Sequence, residues 1–277
     1  MVSTTEILPC PALQSYVRCY TLREFDTMGA DFMKPLPANH EVIMSFVLSG
    51  SLSPSHLTCT DVNPGSGKRI TGLQTANYGL LIFNGTVRFF TIHFRPNGFY
   101  KLFNIPLDLI THKIYEPSDV IEGVRLYSER LHEAKDLITL KNYSDEFLLA
   151  HLVKTKADDP YNSITSASAL IFRNPGDVNI KKLAYEANMS LKSFELKFTR
   201  QVGIPPKLFA RITRFNYALL MKTQNTSMNW TEILYKCGYY DQMHFIKEFK
   251  QFAGDTPVNF YKETPLPNEN YLQSVKA

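Results

Sequence analysis

Two short stretches of this chain carry side chains whose types and helical spacing suit them to the edges of nucleic-acid bases. In the first, Lys192, Ser193, Glu195, Lys197 and Arg200 fall on the outward side of a helix running from Ser190 to about Gln201, with Phe194, Phe198 and Leu191 on its core side. In the second, Gln242, Met243, His244, Ile246 and Lys247 are outward on a helix from Gln242 to about Phe252, with Phe245, Phe249 and Phe252 inward. Glutamine bonds adenine through two hydrogen bonds, lysine and histidine reach guanine acceptors, and methionine or isoleucine meets a thymine methyl.

Other chemistries find less to work with. His40, Glu41 and His93 are the set on which a barrel metal centre would draw. No HxH pair accompanies them, and if both lie in a strand, adjacent His40 and Glu41 point to opposite faces. Cys10, Cys19, Cys59 and Cys237 form no CxxC pair, so neither a disulfide framework nor a zinc finger is indicated. Cys237, beside a turn, reads as core. Asn63–Lys68 (NPGSGK) lacks the Ser or Thr that follows the lysine of a phosphate-binding loop and reads as a plain loop. No catalytic residue, metal or cofactor is indicated, and the chain is expected not to be an enzyme.

The elements that must position the two helices come from a repeat. At an offset of 51, Phe194 falls on Phe245, Phe198 on Phe249, Gly203 on Gly254, Pro206 on Pro257 and Phe209 on Phe260. Just upstream the offset is 50, with Leu183 on Ile233. The extra residue lies in the turn, where Asn188-Met189-Ser190 is answered by Gly238-Tyr239-Tyr240-Asp241. Each copy reads as helix, turn, helix and a Gly/Pro stop: Asn179–Ala187 before Ser190, and Trp230–Cys237 before Asp241. Ser190 and Asp241 are good N-caps. Pro205-Pro206 opens a long helix to about Thr223, a rod between the copies, along which Arg211, Arg214 and Lys222 form a solvated or phosphate-facing row. Ser163–Phe172 is a lead-in helix stopped by Asn174-Pro175-Gly176.

The first hundred residues read as β-structure. Val42–Leu48 is an apolar run followed by the turn-rich Ser49–Pro54, and Gly79–Phe83 is closed by Asn84-Gly85, a hairpin signal. Val87–Phe94 puts Phe90, Ile92 and Phe94 on one face and Val87, Phe89, Thr91 and His93 on the other, as in a strand covered on each side or a barrel wall with a lined interior. Tyr78, Phe83, Phe89 and His93 are candidates for an effector pocket, with Phe90 and Phe94 further aromatics that could line it or simply form core. From Pro117 the period changes: Ser118–Ala134 and Lys141–Lys154 read as helices, either layered on the barrel or forming a dimer interface.

Residues 161–263 resemble the DNA-binding domain of the AraC/XylS family of bacterial transcription regulators. The text that carries this is Leu183-Ala184, Met189-Ser190, Phe194, Phe198 and Gly203-Ile204-Pro205-Pro206 in the first half. In the second it is Ile233, Cys237 to Gln242, His244-Phe245, Phe249-Lys250, Gly254, Thr256-Pro257 and Tyr261. The resemblance implies two helix–turn–helix units joined by a central helix and reading successive major-groove segments, in a regulator expected to be an activator that meets RNA polymerase. It assigns Lys192 and Glu195 to base contact, where Glu195 could accept from a cytosine amine. Leu196 stands where the family usually has arginine, Leu234 where a small residue is usual and Met243 where serine is usual. More loosely, Phe94 to Tyr100, Ile105-Pro106 and Pro37 to Glu41 are similar to phrases of cupin-like sensor domains that precede this reader.

Charge agrees with that division. Residues 177–263 hold 13 Lys/Arg against 8 Asp/Glu, whereas residues 1–176 hold 16 against 17. Phosphate neutralisation dominates nucleic-acid affinity, so the basic surplus sits where it is needed. The expected fold is α+β: a β-rich, cupin-like domain with a helical layer (1–154), a linker (155–160), the all-α reader (161–263) and a tail (264–277). The expected partners are double-stranded DNA, a second copy of the chain and a small-molecule effector. The alternative is a first domain that only dimerises or binds a protein partner. No membrane-length apolar run or signal-like N-terminus occurs, and a cytoplasmic location is expected.

Overall fold

The fifteen-residue strand β6 (Leu80–Phe94) organises the first half of the molecule. The computed structural model describes residues 3–55, 67–155, 162–174 and 178–263. One antiparallel sheet is built from β1 (Ser3–Ile7), β2 (Val17–Asp26), β3 (Phe32–Pro35), β4 (Ile43–Ser55), β5 (Lys68–Thr71), β6 and β7 (Ile114–Tyr115). β4 runs beside β6 along most of its length. On the other side β6 changes partner, pairing β3 through Leu80–Phe83 and β2 from Thr86 onward.

That change of partner explains two departures from expectation. Asn84-Gly85 is no hairpin: it lies inside β6, where Gly85 at φ 87° makes a bulge. Thr27 N donates to Gly85 O at 3.1 Å and Asn84 Nδ2 to Asp31 Oδ1 at 2.9 Å, so the pair fastens the β2–β3 connection instead. Ser49–Pro54 is likewise no turn but the second half of β4, its register shifting around Ser49 with Gly50 at φ 79°. Of the Asn63–Lys68 segment only Gly67 and Lys68 are described, and Lys68 opens β5.

The two faces of β6 serve different ends. Phe90, Ile92 and Phe94 join Tyr20, Met44 and Phe46 in a core covered by helices. Those helices are α1 (Gly98–Phe103), α2 (Val124–Glu133) and α3 (Leu137–Thr155). Tyr127 on α2 meets Phe46 edge-on at 5.5 Å, and Tyr20 OH donates to Asp145 Oδ1 on α3 at 2.7 Å. The helical layer on the sheet is thus the observed arrangement. The expected helix Ser118–Ala134 is split, because Gly123 at φ 79° separates a 3-10 turn (Pro117–Asp119) from α2. α3 begins four residues before Lys141, where Asp136 Oδ1 accepts from Thr139 N. α1 had no counterpart in the sequence reading.

The second half is helical: α4 (Ser163–Arg173), α5 (Ile180–Glu186), α6 (Leu191–Val202), α7 (Pro206–Gln224), α8 (Trp230–Lys236), α9 (Gln242–Ala253) and α10 (Pro257–Glu263). Residues 156–160 of the expected linker, 175–176 of the α4 stop and the tail from 264 lie outside the described residues. The hydrophobic core does not stop at the domain boundary: sheet residues and Phe194, Phe209, Phe215 and Phe249 belong to one contiguous cluster. No helix among the described residues is long and apolar enough to cross a membrane.

Candidate nucleic-acid interface and effector cavity

Each half of the C-terminal helical domain is built by the same local chemistry. Asn179 caps α5 by accepting from Lys182 N, and Asn229 caps α8 in a reciprocal box with Glu232. The chain then leaves each helix through one left-handed residue, Asn188 at φ 53° or Gly238 at φ 71°. The residue after it donates back into the helix: Met189 N to Ala184 O and Tyr239 N to Leu234 O, both at 3.0 Å. Ser190 then caps α6 by accepting from Ser193 N, and Asp241 caps α9 by accepting from His244 N.

Packing fixes which face looks outward. Phe194 and Phe198 on α6, and Phe245 and Phe249 on α9, are buried. Lys192, Ser193, Glu195, Leu196, Lys197 and Arg200 are exposed on α6, as is Leu191, which was expected on the core side. Ser190 is exposed at the cap. On α9, Gln242, Met243 and Lys247 are exposed, while His244 and Ile246 are half-buried; His244 Nε2 lies 3.6 Å from Glu248 Oε1.

The basic row on α7 is not a free phosphate-facing surface. Arg211 Nε and Arg214 Nη2 both donate to the buried Glu248 carboxylate of α9, at 2.5 and 2.9 Å. Burial opposes ionisation of Glu248, but these two guanidinium groups hold its carboxyl below the usual range. Lys222 Nζ donates to Thr226 O and Met228 O at 2.7 Å, closing the turn after α7. The sequence reading missed Glu248 as an anchor because its partners lie 34 and 37 residues away.

The second feature is a cavity of about 280 Å³ between the sheet and α7. Phe89, Thr91 and His93, the second face of β6, form one wall; Asn216, Leu219 and Thr223 of α7 form another, and Pro37–Glu41 lies between. Tyr78, Phe89 and His93 of the predicted pocket line it. Phe83 does not, being packed with Phe25, Phe32 and Phe89. Phe90 and Phe94 are core on the opposite face.

Polar groups in this cavity wall are of two kinds. Arg18 engages Glu41 with Nε at 2.6 Å and Nη2 at 3.0 Å, and His93 Nδ1 lies 3.1 Å from Glu41 Oε2. Both carboxylate oxygens of Glu41 are therefore committed to neighbours. Burial opposes their charge, yet Arg18 and His93 keep the group well below the usual carboxylate range. Arg69 Nη2 and both ring nitrogens of His40 are buried with no hydrogen-bond partner among the described residues. Desolvation lowers the His40 and His93 imidazoles to about 4. Arg69 escaped the sequence reading because a single arginine in a short strand carries no periodic signal.

Residues 183–263 match a family model described as a helix-turn-helix domain. The C-terminal segment is an AraC-type helix–turn–helix domain. A second model, described as a domain of unknown function (DUF6597), matches residues 5–116. The HTH-type transcriptional regulator MtrA of Neisseria gonorrhoeae is 28% identical over 141 residues, which are 50% of this chain and 41% of that protein. The chain therefore spans less than half the length of that relative. Among solved structures, unsaturated fatty acid bound ToxT from Vibrio cholerae covers 96% of each chain at 9% identity and a TM-score of 0.48. Another ToxT structure covers 91% of this chain and all of its own at 11% identity, with a TM-score of 0.46.

Within the AraC-type domain, Leu196 and Met243 are strongly exposed and Leu234 is fully buried. The first two differences from the family pattern therefore lie on the outer surface, and the third lies in the core of the second unit. Cys237 is buried in that core, where its Sγ meets Met221 Sδ and burial pushes the thiol up to about 12. It is packing material rather than a nucleophile.

Proposed function

We propose that this protein is a sequence-specific DNA-binding transcription regulator. α6 and α9 would lie in successive major-groove segments on one face of the duplex, with Lys192, Glu195, Gln242 and Met243 meeting base edges. Ser190, Ser193, Lys197, Arg200, His244 and Lys247 would bond the backbone or neighbouring bases. The observation that carries this reading is the pair of N-capped helices with buried aromatic faces and exposed polar faces, set at equivalent places of a repeat. The regulator would act as an activator in contact with RNA polymerase and bind as a homodimer in the cytoplasm. Enrichment from a random duplex library tests it: two short elements about one helical turn apart are expected. Salt-sensitive binding with no enriched sequence would sink it.

The first domain would take up a small effector in the cavity beside α7. The unpaired Arg69 Nη2 and His40 nitrogens support this, because buried polar groups are ordinarily satisfied. The effector would then have an apolar body and a hydrogen-bonding group facing Arg69. A ligand of the folded state raises its stability, so a metabolite screen by thermal unfolding finds it. If no compound shifts the wild type more than an Arg69→Met variant, the domain is a dimerisation or partner-binding module.

A further inference from the structure

The first domain holds the two recognition helices at equivalent points. At the end of α6, Thr111 Oγ1 lies 2.9 Å from Gly203 O, its proton shared with Leu107 O at the same distance. Asn97 Nδ2 lies 3.4 Å from Gln201 Oε1. At the end of α9, Ala38 N donates to Phe252 O at 2.8 Å and Asn77 Nδ2 to Ala253 O at 2.9 Å. Under the 51-residue offset of the repeat, Gln201, Val202 and Gly203 correspond to Phe252, Ala253 and Gly254. Both grips thus fall on the same turn of the duplicated unit.

Both contacts are close. A Cβ on Gly203, at φ 102°, would sit 2.6 Å from Thr111 Oγ1, and one on Gly254, at φ 88°, would sit 3.3 Å from Asn77 Cβ. The grips are also tied to each other. His112 N donates to Leu73 O and Gly72 N to Lys113 O, while Ile110 O presses on Gly72 so closely that a Cβ there would lie 1.9 Å away. Residues 72–74 and 110–113 so form one bar of bonded backbone, and Asn39 N and Gln74 O, bonded at 2.8 Å, join the Ala38 side to it.

We infer that the first domain sets the separation of the two recognition helices, and with it the spacing of the two DNA elements the protein selects, with Thr111 and Asn77 as positioning residues. This rests on the DNA-reading function proposed above. α7 alone ties the two units by one helix; the bar behind them adds a second connection and resists their relative rotation. One base pair shifts the second element by about 3.4 Å along the axis, which a pair held at both ends cannot follow without losing a grip.

The test measures full-length wild type, Asn77→Asp, Thr111→Val, Thr111→Ser and the Asn77→Asp/Thr111→Val double variant on duplexes whose two enriched elements are moved apart base pair by base pair. Asn77→Asp keeps the acceptor for Gly79 N and removes the donor to Ala253; Thr111→Ser keeps the hydroxyl that Thr111→Val removes. The expected result is unchanged base preference within each element. In the double variant, discrimination against a spacing one base pair off falls about tenfold, as loss of a hydrogen bond or two would give. Thr111→Ser retains the wild-type profile.

A spacing profile unchanged in folded variants overturns the inference, and so does weakening or tightening that is uniform across all spacings. If Thr111→Val does not fold, Asn77→Asp decides by itself. Failure of the wild type to enrich any sequence brings down the DNA-reading function and this inference with it; an enriched sequence with rigid spacing in the variants brings down only the inference.

Discussion

Asn188 and Gly238 occupy the same place in the two turns, both left-handed and both followed by a residue that bonds back to the preceding helix at 3.0 Å. One unit meets the requirement with the non-glycine residue that tolerates this conformation best, the other with glycine. Gly238→Ala is expected to destabilise the protein by about 1 kcal/mol, and Asn188→Gly to change it by only a few tenths. Urea unfolding of the two variants checks this; equal effects would mean the turns are not equivalent.

Glu248 anchors α9 to α7 through two arginines. Glu248→Ala leaves Arg211 and Arg214 without their carboxylate and is expected to cost about 3 kcal/mol, the low end for a buried pair because Arg211 is partly exposed. Arg211→Ala alone should cost clearly less than Arg214→Ala, whose side chain is better buried. A reversed order in chemical denaturation would show that burial does not govern this pair.

Acid should loosen the molecule through His40 and His93. Unfolded imidazoles titrate near 6.5, the native ones near 4. Between those values the unfolded chain binds more protons, so stability is complete above about pH 6.5 and is lost as pH falls toward 4. Each histidine contributes a slope of up to about 1.4 kcal/mol per pH unit. Glu41 stays ionised across the window, its carboxyl lying well below it. Thermal midpoints of wild type and His40→Leu across this range are the measurement: a slope in the variant as steep as the wild type's would remove His40 from the account.

Base reading and phosphate contact separate by salt. Lys192→Ala and Gln242→Ala are expected to weaken specific binding by about 1–3 kcal/mol while leaving folding intact. Arg200→Ala should weaken all sequences alike and reduce the salt slope by about 1. Titrations at several salt concentrations on specific and scrambled duplexes distinguish the two classes.

The helix–turn–helix domain was legible because its determinants are local. Caps such as Ser190 and Asp241 act within one turn, and Phe194/Phe198 recur at a spacing that only a helix brings to one side. The alternating faces of Val87–Phe94 were legible for the same reason. Asn84-Gly85 misled because a left-handed glycine serves a bulge as well as a hairpin, and the choice depends on strands more than 25 residues away in the chain. Arg211 and Arg214 look solvated until Glu248 is brought beside them, and Arg69 acquires meaning only when β5 closes one side of the cavity.

The gripping of both recognition helices by one bar has a consequence for α7. This helix runs for 19 residues between them. Inserting or deleting a single residue there would turn the second unit by about 100° and move it about 1.5 Å. Thr111 and Asn77 would then face the wrong carbonyls. Side chains along α7 can change freely wherever packing permits, but its length cannot drift unless the bar is rebuilt in the same step. Descendants of this chain that read differently spaced operators should therefore differ in the Asn77 and Thr111 loops before they differ in the number of residues in α7.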